Sequence, residues 1–520
     1  MSGYLRRLAT TGAAYTAASI LSKVIAVALL PLYTRYLSRE DYGAAEILFS
    51  AVVAASIVIR FGLIEAILRF YYKQDEDPAR VVAGTFAGLF WLATLGALVA
   101  LPFAVPLSEL LLPEPERLGD SAPDLVRIAI GGLWVLTLWE YMLTLFRLEE
   151  RARAFFVTTI LNVIAAIALT VVLVVGLDEG ARGLLLGSYA TGAAFVVALI
   201  ALQWRRLSLR IDRGLLRRLF RFGLPTMPAE VSLYALNFAD RLIIARSLGL
   251  TEAGLYSIGV KFAQAVNVLV RGFQLAWPPL AYSIRDDDEA RRVYATVVTL
   301  FVSACAFVVT GMWLFSRWIV RALAAPKFFD SYEVIGLISA AVTLYALYLV
   351  LVVILGRTGR TEFNLPAAVG ALVVNVALNL ALVPPLGIEG AALALVGSYL
   401  VVLGLMYVFT QRLFPVLYEW GRLLRVVLTV AALVGLAELA VPTEGALGLL
   451  LRIALFTAYP LLLWVTGFFS AEEREWLGRL RHPRAVLADL ASLRSQPAAV
   501  DGHIPETYEV ERMDEDARTP

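Results

Sequence analysis

The sequence is built from apolar segments that are each long enough to cross a membrane. A helix of about twenty apolar residues spans the roughly 30 Å hydrocarbon core of a bilayer. Six such segments precede residue 205, at about 10–34, 44–68, 81–104, 125–147, 154–176 and 182–204. Six more lie at about 219–246, 254–282, 293–320, 332–356, 363–384 and 388–411, and a last pair at about 422–441 and 446–469. We therefore predict an all-α, polytopic membrane protein with about fourteen transmembrane helices.

Composition supports this class and argues against several kinds of chemistry. Of the 520 residues, 60% are hydrophobic and 17% are charged, whereas about a quarter are charged in soluble domains. Cys305 is the only cysteine, and both histidines, His482 and His503, lie near the C-terminus. A disulfide within one chain and a metal site of the usual His or Cys type are therefore not expected. We expect no cofactor, no metal and no nucleic-acid partner, and the absence of a phosphate loop argues against an ATP motor.

The two sets of six segments carry a sequence repeat with an offset of about 211 positions. Its matches include Gly43 with Gly254, Arg60 with Arg271, and Gly187–Tyr189 with Gly397–Tyr399. Because each set contains an even number of spans, both copies have the same orientation and their symmetry axis lies along the membrane normal. The predicted divisions are a six-helix lobe at 1–204, a basic cytoplasmic linker at 205–221, a second six-helix lobe at 219–412, two extra helices at 413–469 and a tail at 470–520.

The tail has a different composition from the rest of the chain. Ser470 and Glu473 form a capping-box pattern that predicts the start of a short amphipathic helix. From Asp501 onward the sequence is polar and acidic, which is typical of disorder. We expect the tail to lie on the cytoplasmic side.

Basic residues alternate between rich and poor loops. The even-numbered loops, such as the one with seven arginines from Arg205 to Arg221, carry more arginine and lysine than the odd-numbered loops. Cytoplasmic loops of membrane proteins are enriched in these residues. We therefore expect a multi-pass protein of the cell membrane with both termini in the cytoplasm.

A polar stripe interrupts the apolar segment at 254–282. It consists of Lys261, Gln264, Asn267, Arg271 and Gln274. Spacings of 3, 3, 4 and 3 place all five on one face of a continuous helix. Because a lysine or arginine near the bilayer centre costs roughly 2.5–3.5 kcal/mol on insertion scales, this face indicates a wet cavity, a partner or an anionic ligand.

Two more cations lie within the first spans of the chain. Lys23 is in the first segment and Arg60 in the second. Together with Lys261 and Arg271, they predict a positively charged central cavity that binds an anion. The alternative is that each cation forms a structural ion pair with a carboxylate in or near the spans. The carboxylates considered are Glu65, Glu140, Glu230 and Asp240.

The seventh segment carries a second polar face. Glu230, Tyr234, Asn237 and Arg241 follow a 4, 3, 4 spacing, with Asp240 beside them. The prolines before this face can open a helix to a coupling ion, so Glu230, Asp240 and Asn237 are predicted to bind a proton or sodium ion. The alternative is a packed kink in which Asp240 pairs with Arg241 or Arg35. The asparagines at 162, 375 and 379 are predicted to form hydrogen bonds between helices.

Two sequence blocks resemble a known family. They are Ser19–Gly43, SILSKVIAVALLPLYTRYLSREDYG, and Phe222–Ala263, FGLPTMPAEVSLYALNFADRLIIARSLGLTEAGLYSIGVKFA. The first resembles the opening helix and first outer loop of the polysaccharide transport family, and the second resembles the start of its second half. These are Wzx-like lipid-linked oligosaccharide flippases of the multidrug/oligosaccharidyl-lipid/polysaccharide exporter superfamily. The resemblance covers about residues 1–470 and implies two six-helix lobes around a V-shaped, alternating-access cavity.

The resemblance also implies a substrate and partners. A polyprenyl-diphosphate-linked oligosaccharide would place its head group in the cavity and keep its tail among the membrane lipids. A diphosphate carries about two negative charges, and cations must replace the water that it loses in the membrane. The lipid would move from the cytoplasmic to the outer leaflet. A polysaccharide polymerase and assembly proteins are the expected protein partners.

Other functions remain open at this point. A lipid II flippase would share the cationic cavity. A multidrug or cation antiporter of the same superfamily would be expected to present carboxylates and aromatic residues in place of the basic stripe. A membrane glycosyltransferase or polymerase generally needs a larger extramembrane region than the longest outer loop, at about 106–124. A transporter without enzymatic activity is therefore the expectation.

Overall fold

Every regular element of this computed structural model is a helix within the described residues, which are 21, 25, 27–73, 76–113, 122–225, 227–470 and 473–474. The helices before residue 205 are α1 (Leu30–Tyr36), α2 (Arg39–Arg60), α3 (Leu63–Phe70), α4 (Pro78–Ala100), α5 (Ala104–Leu111), α6 (Ala122–Leu148), α7 (Ala152–Val171) and α8 (Gly180–Gln203). The later helices are α9 (Arg213–Gly223), α10 (Met227–Leu248), α11 (Leu250–Ala263), α12 (Val266–Ser283), α13 (Asp287–Leu323), α14 (Tyr332–Arg357), α15 (Asn364–Leu413), α16 (Trp420–Ala440) and α17 (Gly445–Val465).

Ten helices among the described residues are long and apolar enough to cross a membrane, or eleven if the bent pair α11 and α12 forms one span. A further helix, α10, has 22 residues but carries Glu230, Asp240 and Arg241. The multi-pass, all-α architecture predicted from the apolar segments is confirmed. The first predicted span is described only in part, because residues 1–20, 22–24 and 26 lie outside the described residues.

The 50-residue helix α15 contains two spans in one element. Gly387 has φ 61° and ψ −142°, which are not helical values. On either side of it the chain is antiparallel, since Gly390 packs against Leu382 and Gly397 against Leu378. The chain therefore reverses at Gly387, as predicted from the two apolar segments at 363–384 and 388–411.

Side-chain caps mark where several helices begin. Ser38 accepts a hydrogen bond from the Asp41 amide at 2.9 Å at the start of α2, and Asp286 accepts one from the Glu289 amide at 2.7 Å at the start of α13. Asp212 caps α9 in the same way. Such oxygens satisfy amide groups that have no partner within the helix. The polar residues between apolar segments thus determine where these helices start.

The second and seventh predicted spans are each interrupted in the structure. The segment predicted at 44–68 breaks between α2 and α3, where Phe61 and Gly62 adopt left-handed conformations. Gly62 lies against the backbone of Gly223, the last residue of α9. The segment predicted at 219–246 begins within α9, and the spanning helix α10 starts only at Met227. The linker predicted at 205–221 therefore contains most of α9, whose buried leucines pack it onto the protein.

Helices α2 and α11 cross at two glycines that correspond in the sequence repeat. A methyl group on Gly43 would overlap the carbonyl oxygen of Leu250, and one on Gly254 would overlap that of Arg39. The 211-position offset turns one contact into the other, because Gly43 corresponds to Gly254 and Arg39 to Leu250. The same offset separates Thr251 from its hydrogen-bond partner Glu40. Reciprocal contacts of this kind are what a two-fold axis produces. The sequence repeat therefore has a structural counterpart at this crossing.

The described residues up to Thr466 form one packed unit. The predicted capping box after this unit is present: the Ser470 amide donates to Glu473 at 2.8 Å, and the Glu473 amide donates to the Ser470 hydroxyl at 3.2 Å. The remainder of the predicted tail, from residue 475 onward, lies outside the described residues.

Candidate functional site

A cavity of about 500 Å³ lies between α2, α10, α11, α12, α14 and α15. This volume is typical of sites for small ligands. Five charged side chains line it: Glu46, Glu230, Arg241, Lys261 and Arg271. They include three cations and two carboxylates, and they come from both copies of the sequence repeat.

Four of the seven residues predicted to bind an anion line this cavity. They are Lys261, Gln264, Asn267 and Arg271. Gln274 instead accepts a hydrogen bond from Arg271 at 3.3 Å and lines a separate apolar pocket. Lys23 lies outside the described residues.

The prediction of one continuous polar helix is wrong. The chain breaks at Gln264 and Ala265, and α11 and α12 are bent by 49°. At the break the Asn267 amide bonds to the Gln264 carbonyl and the Val268 amide to the Ala265 carbonyl, three residues back instead of four. Irregular backbone is tolerated at membrane depth where it lines a cavity. The polar residues therefore meet at the cavity from two helices and the turn between them.

Glu46 is a charged cavity residue that sequence reasoning missed. Its side chain is 7% exposed, and its Oε1 lies 2.8 Å from the Lys261 Nζ. Its Oε2 lies 4.0 Å from Arg241 Nη2. The available signal was a carboxylate inside an apolar segment, but its place near the start of that segment suggested nothing about the cavity.

Arg241 is anchored by several neutral groups. It donates to the hydroxyl groups of Ser50 at 3.0 Å and Ser257 at 3.3 Å, and to the carbonyl oxygen of Asn237 at 3.4 Å. The ion pair of Arg241 with Asp240 that the sequence left open is not among the contacts within 4.0 Å of the described residues. Consecutive helical residues point in different directions, and here the charged partner of Arg241 is Glu46.

Asp240 is fully buried beside the cavity and does not line it. Its Oδ1 accepts hydrogen bonds from Asn375 at 2.9 Å and Asn379 at 2.7 Å, and its Oδ2 accepts one from Tyr256 at 3.1 Å. The predicted role of these two asparagines in linking helices is confirmed. The side-chain oxygens of Asn375 and Asn379 are buried and have no hydrogen-bond partner.

Arg60 lies at the edge of the site and contacts two carboxylates. Its guanidinium is 3.7 Å from Glu230 and 4.0 Å from Glu140. Structural ion pairing, the alternative left open by the sequence, thus describes the contacts of Arg60 as well as those of Lys261. For Arg271 no carboxylate lies within ion-pair distance among the described residues.

Fold and site together define a class of protein, the multi-pass helical membrane proteins with a polar cavity between two related bundles. The chain is similar to the lipid II flippase MurJ in an inward closed conformation, with a TM-score of 0.68, 13% identity, and coverage of 87% of this chain and 98% of that chain. It is also similar to an inward-facing multidrug resistance MATE family transporter of the MOP superfamily, with a TM-score of 0.61, 15% identity, and coverage of 75% and 93%. At these identities the likeness concerns the fold.

The chain belongs to the family described as polysaccharide biosynthesis protein, whose model matches residues 9–284. It is 25% identical over 333 residues to the succinoglycan biosynthesis transport protein ExoT of Rhizobium meliloti (strain 1021). That match covers 62% of this chain and 64% of the relative, so it spans less than two thirds of the relative's length. The family resemblance inferred from the two sequence blocks is confirmed.

Proposed function

We propose that this protein is a flippase for a polyprenyl-diphosphate-linked oligosaccharide, the repeat unit of a polysaccharide. It moves this lipid from the cytoplasmic to the outer leaflet by alternating access. The observation that carries the proposal is the cavity between the sequence repeats, in which Arg241, Lys261 and Arg271 outnumber two carboxylates. The family and the similarity to transporter folds support the same proposal.

The charge of the cavity fits a diphosphate better than a cationic drug. Arg271 has no carboxylate partner among the described residues, and the Lys261 side chain is 32% exposed. An arginine offers a fork of donors and a lysine a mobile point charge, and both suit phosphate oxygens. Gln264 and Asn267 beside them supply neutral groups that can bond to phosphate or sugar hydroxyls. An interior-negative membrane potential favours outward movement of the anion by about 2.3 kcal/mol per charge per 100 mV.

Asp240 is proposed to bind the coupling ion, a proton or sodium. Its carboxylate lies beside the Asn375 and Asn379 side chains, whose oxygens are buried without a partner. A hard cation is bound by carboxylate and amide oxygens of this kind. Glu230 and Asn237, which line the cavity at a separate position, are proposed for the same role. Full retention of ion-gradient dependence by Asp240→Asn would remove Asp240 from this role.

The remaining features follow from the same proposal. The lobes at 1–204 and 219–412 would move relative to each other, with 205–221 as the connection and 413–469 as two accessory helices. The protein would lie in the cell membrane with both termini in the cytoplasm, because the even-numbered loops are the basic ones. A polysaccharide polymerase and assembly proteins would receive the lipid.

The test is translocation of a fluorescent undecaprenyl-diphosphate oligosaccharide in proteoliposomes. Wild type is compared with Lys261→Ala and Arg271→Ala, and with Arg360→Ala as a control, since Arg360 is 58% exposed and pairs with Glu362 outside the cavity. We expect flipping by wild type and by the control, and its loss in both cavity variants. Absence of flipping by wild type rejects the function, and unchanged flipping by both cavity variants rejects the cationic site.

A further inference from the structure

The cavity contains an anion that belongs to the protein itself. Glu46 is 5% exposed and contacts both Lys261 and Arg241, and the Tyr42 side chain interacts with the same carboxylate. Two of the three cavity cations thus share one buried carboxylate. A charge in such a place is costly when it lacks a partner, so this arrangement stabilises the cavity when no ligand is bound.

The two cations differ in how firmly they are held. The Arg241 side chain is 9% exposed and bonds to Ser50, Ser257 and the Asn237 carbonyl oxygen. The Lys261 side chain is 32% exposed, and Glu46 is the partner found for its ammonium group among the described residues. A lysine has a flexible four-carbon stem and three donors. Lys261 can therefore turn from Glu46 to another anion in the cavity while Arg241 stays in place.

The sequence repeat indicates that packing alone does not require this ion pair. At the 211-position offset, Glu46 corresponds to Ser257, and Ser50 corresponds to Lys261. The symmetry-related counterpart of the acid–base pair is therefore a pair of serines, both of which bond to Arg241. At the symmetry-related position of the same helix crossing, two neutral residues take the place of the charged pair. The charges of Glu46 and Lys261 are therefore not needed for the helices to cross, and they have a separate cause.

We propose that Glu46 is a built-in counter-anion, which holds Lys261 while the cavity is empty and releases it to the diphosphate of the substrate. This inference rests on the proposed function. When the diphosphate enters, Lys261 bonds to a phosphate oxygen and Arg241 keeps Glu46 neutralised. When the diphosphate leaves, Glu46 recovers Lys261. Glu46 therefore lowers the affinity for the anion and speeds its release.

The test measures binding to the purified full-length protein. The probes are undecaprenyl diphosphate in detergent and, separately, inorganic pyrophosphate. The variants are Glu46→Gln, Lys261→Gln and the double variant, with Glu362→Gln as a matched control on an exposed carboxylate. We expect Glu46→Gln to lower Kd about tenfold, equivalent to about 1.4 kcal/mol, and to have no such effect when Lys261→Gln is also present. The control is expected to bind as wild type does.

Transport provides a second readout. Because Glu46→Gln tightens binding and slows release, both KM and kcat for flipping should fall, whereas a merely structural defect would not lower KM. If Glu46→Gln does not fold, Glu46→Asp replaces it. That carboxylate is one methylene shorter, so its contact with Lys261 weakens and Kd should also fall.

The outcomes separate the inference from the function on which it rests. Binding by wild type with an unchanged or higher Kd in Glu46→Gln overturns the counter-anion and leaves the flippase proposal intact. Tightening that persists when Lys261→Gln is also present overturns the counter-anion in the same way. No binding of either probe by wild type overturns both. If Glu46→Gln lowers the Kd of both pyrophosphate and the lipid, the diphosphate itself is the group that competes with Glu46. If it lowers the Kd of the lipid alone, the diphosphate competes with Glu46 only when its lipid tail is also bound.

Discussion

Gly43 and Gly254 lie against each other where α2 crosses α11, with the Gly254 amide nitrogen 3.0 Å from the position that a methyl group on Gly43 would take. The two residues are equivalent positions of the sequence repeat. This crossing brings Glu46, one turn beyond Gly43, to Lys261 on α11. Close backbone approach and the charge pair of the cavity therefore belong to one structural feature.

Replacing either glycine at this crossing is expected to destabilise the protein. A methyl group at Gly43 or Gly254 overlaps a backbone carbonyl oxygen that cannot rotate away, and overpacking of this kind costs typically about 1–3 kcal/mol. Thermal unfolding in detergent measures the effect for Gly43→Ala and Gly254→Ala. Gly435→Ala is the control, because nothing lies within 4 Å of its added methyl group. Equal unfolding temperatures for all three variants would contradict the close backbone contact of α2 and α11 at these glycines.

Sodium is expected to stabilise the wild-type protein if the site at Asp240 binds it. A ligand that binds only the folded state stabilises it by about 2.7 kcal/mol at 100 times its Kd. The unfolding temperature should rise with sodium chloride more than with choline chloride at equal ionic strength. Asp240→Asn should abolish the difference, since the amide carries no charge. A sodium effect that persists in this variant would locate the ion elsewhere.

Arg60 and Arg271 are predicted to differ in their effect on stability, although they are equivalent in the repeat. Arg60→Ala removes the cation between Glu140 and Glu230 and should lower both the unfolding temperature and flipping. Arg271→Ala breaks no ion pair among the described residues, so flipping should fall while the unfolding temperature stays within about a degree or two, as for a change well under 1 kcal/mol. The reverse pattern would assign Arg271 a structural role.

Asp212, which lies outside the spans, is expected to make a pH-dependent contribution to the stability of the folded protein. The Leu215 amide and then Arg80 lower the pKa of the Asp212 carboxyl, so its charged form is favoured in the folded protein. This stabilisation is complete above the unfolded pKa, about 3.9, and is lost as the pH falls through the lower folded pKa. Asp212→Ala should cost about 1 kcal/mol at neutral pH through loss of the cap.

The check is the unfolding temperature of wild type and Asp212→Ala across a pH series. Their difference should shrink below about pH 4, where the unfolded carboxyl is already protonated. Asp212→Asn keeps a capping oxygen and should lie between the two proteins at neutral pH. A difference that stays constant to the lowest pH would mean that the charge of Asp212 contributes nothing.

Part of the site was predictable from the sequence because helical spacing acts locally. The residues Lys261, Gln264, Asn267 and Arg271 do face one cavity, as polar groups in an apolar span must. The bend at Gln264 was not predictable, since the same spacing fits a straight helix and the break depends on what the backbone packs against. Gln274, at the end of the stripe, lines a separate apolar pocket.

The sequence by itself determined the class of the protein, because the length of the apolar segments, the repeat and the loop charges are properties of the chain read along its length. Partners of charged groups are different, because they lie far apart in sequence. Glu46 reaches Lys261, and Asp240 reaches Asn375 and Asn379, only when helices from distant parts of the chain pack together. The tertiary structure alone decided which cations of the cavity lie against a carboxylate and which do not, since electrostatic contacts depend on distances of a few ångströms that spacing along one helix does not encode.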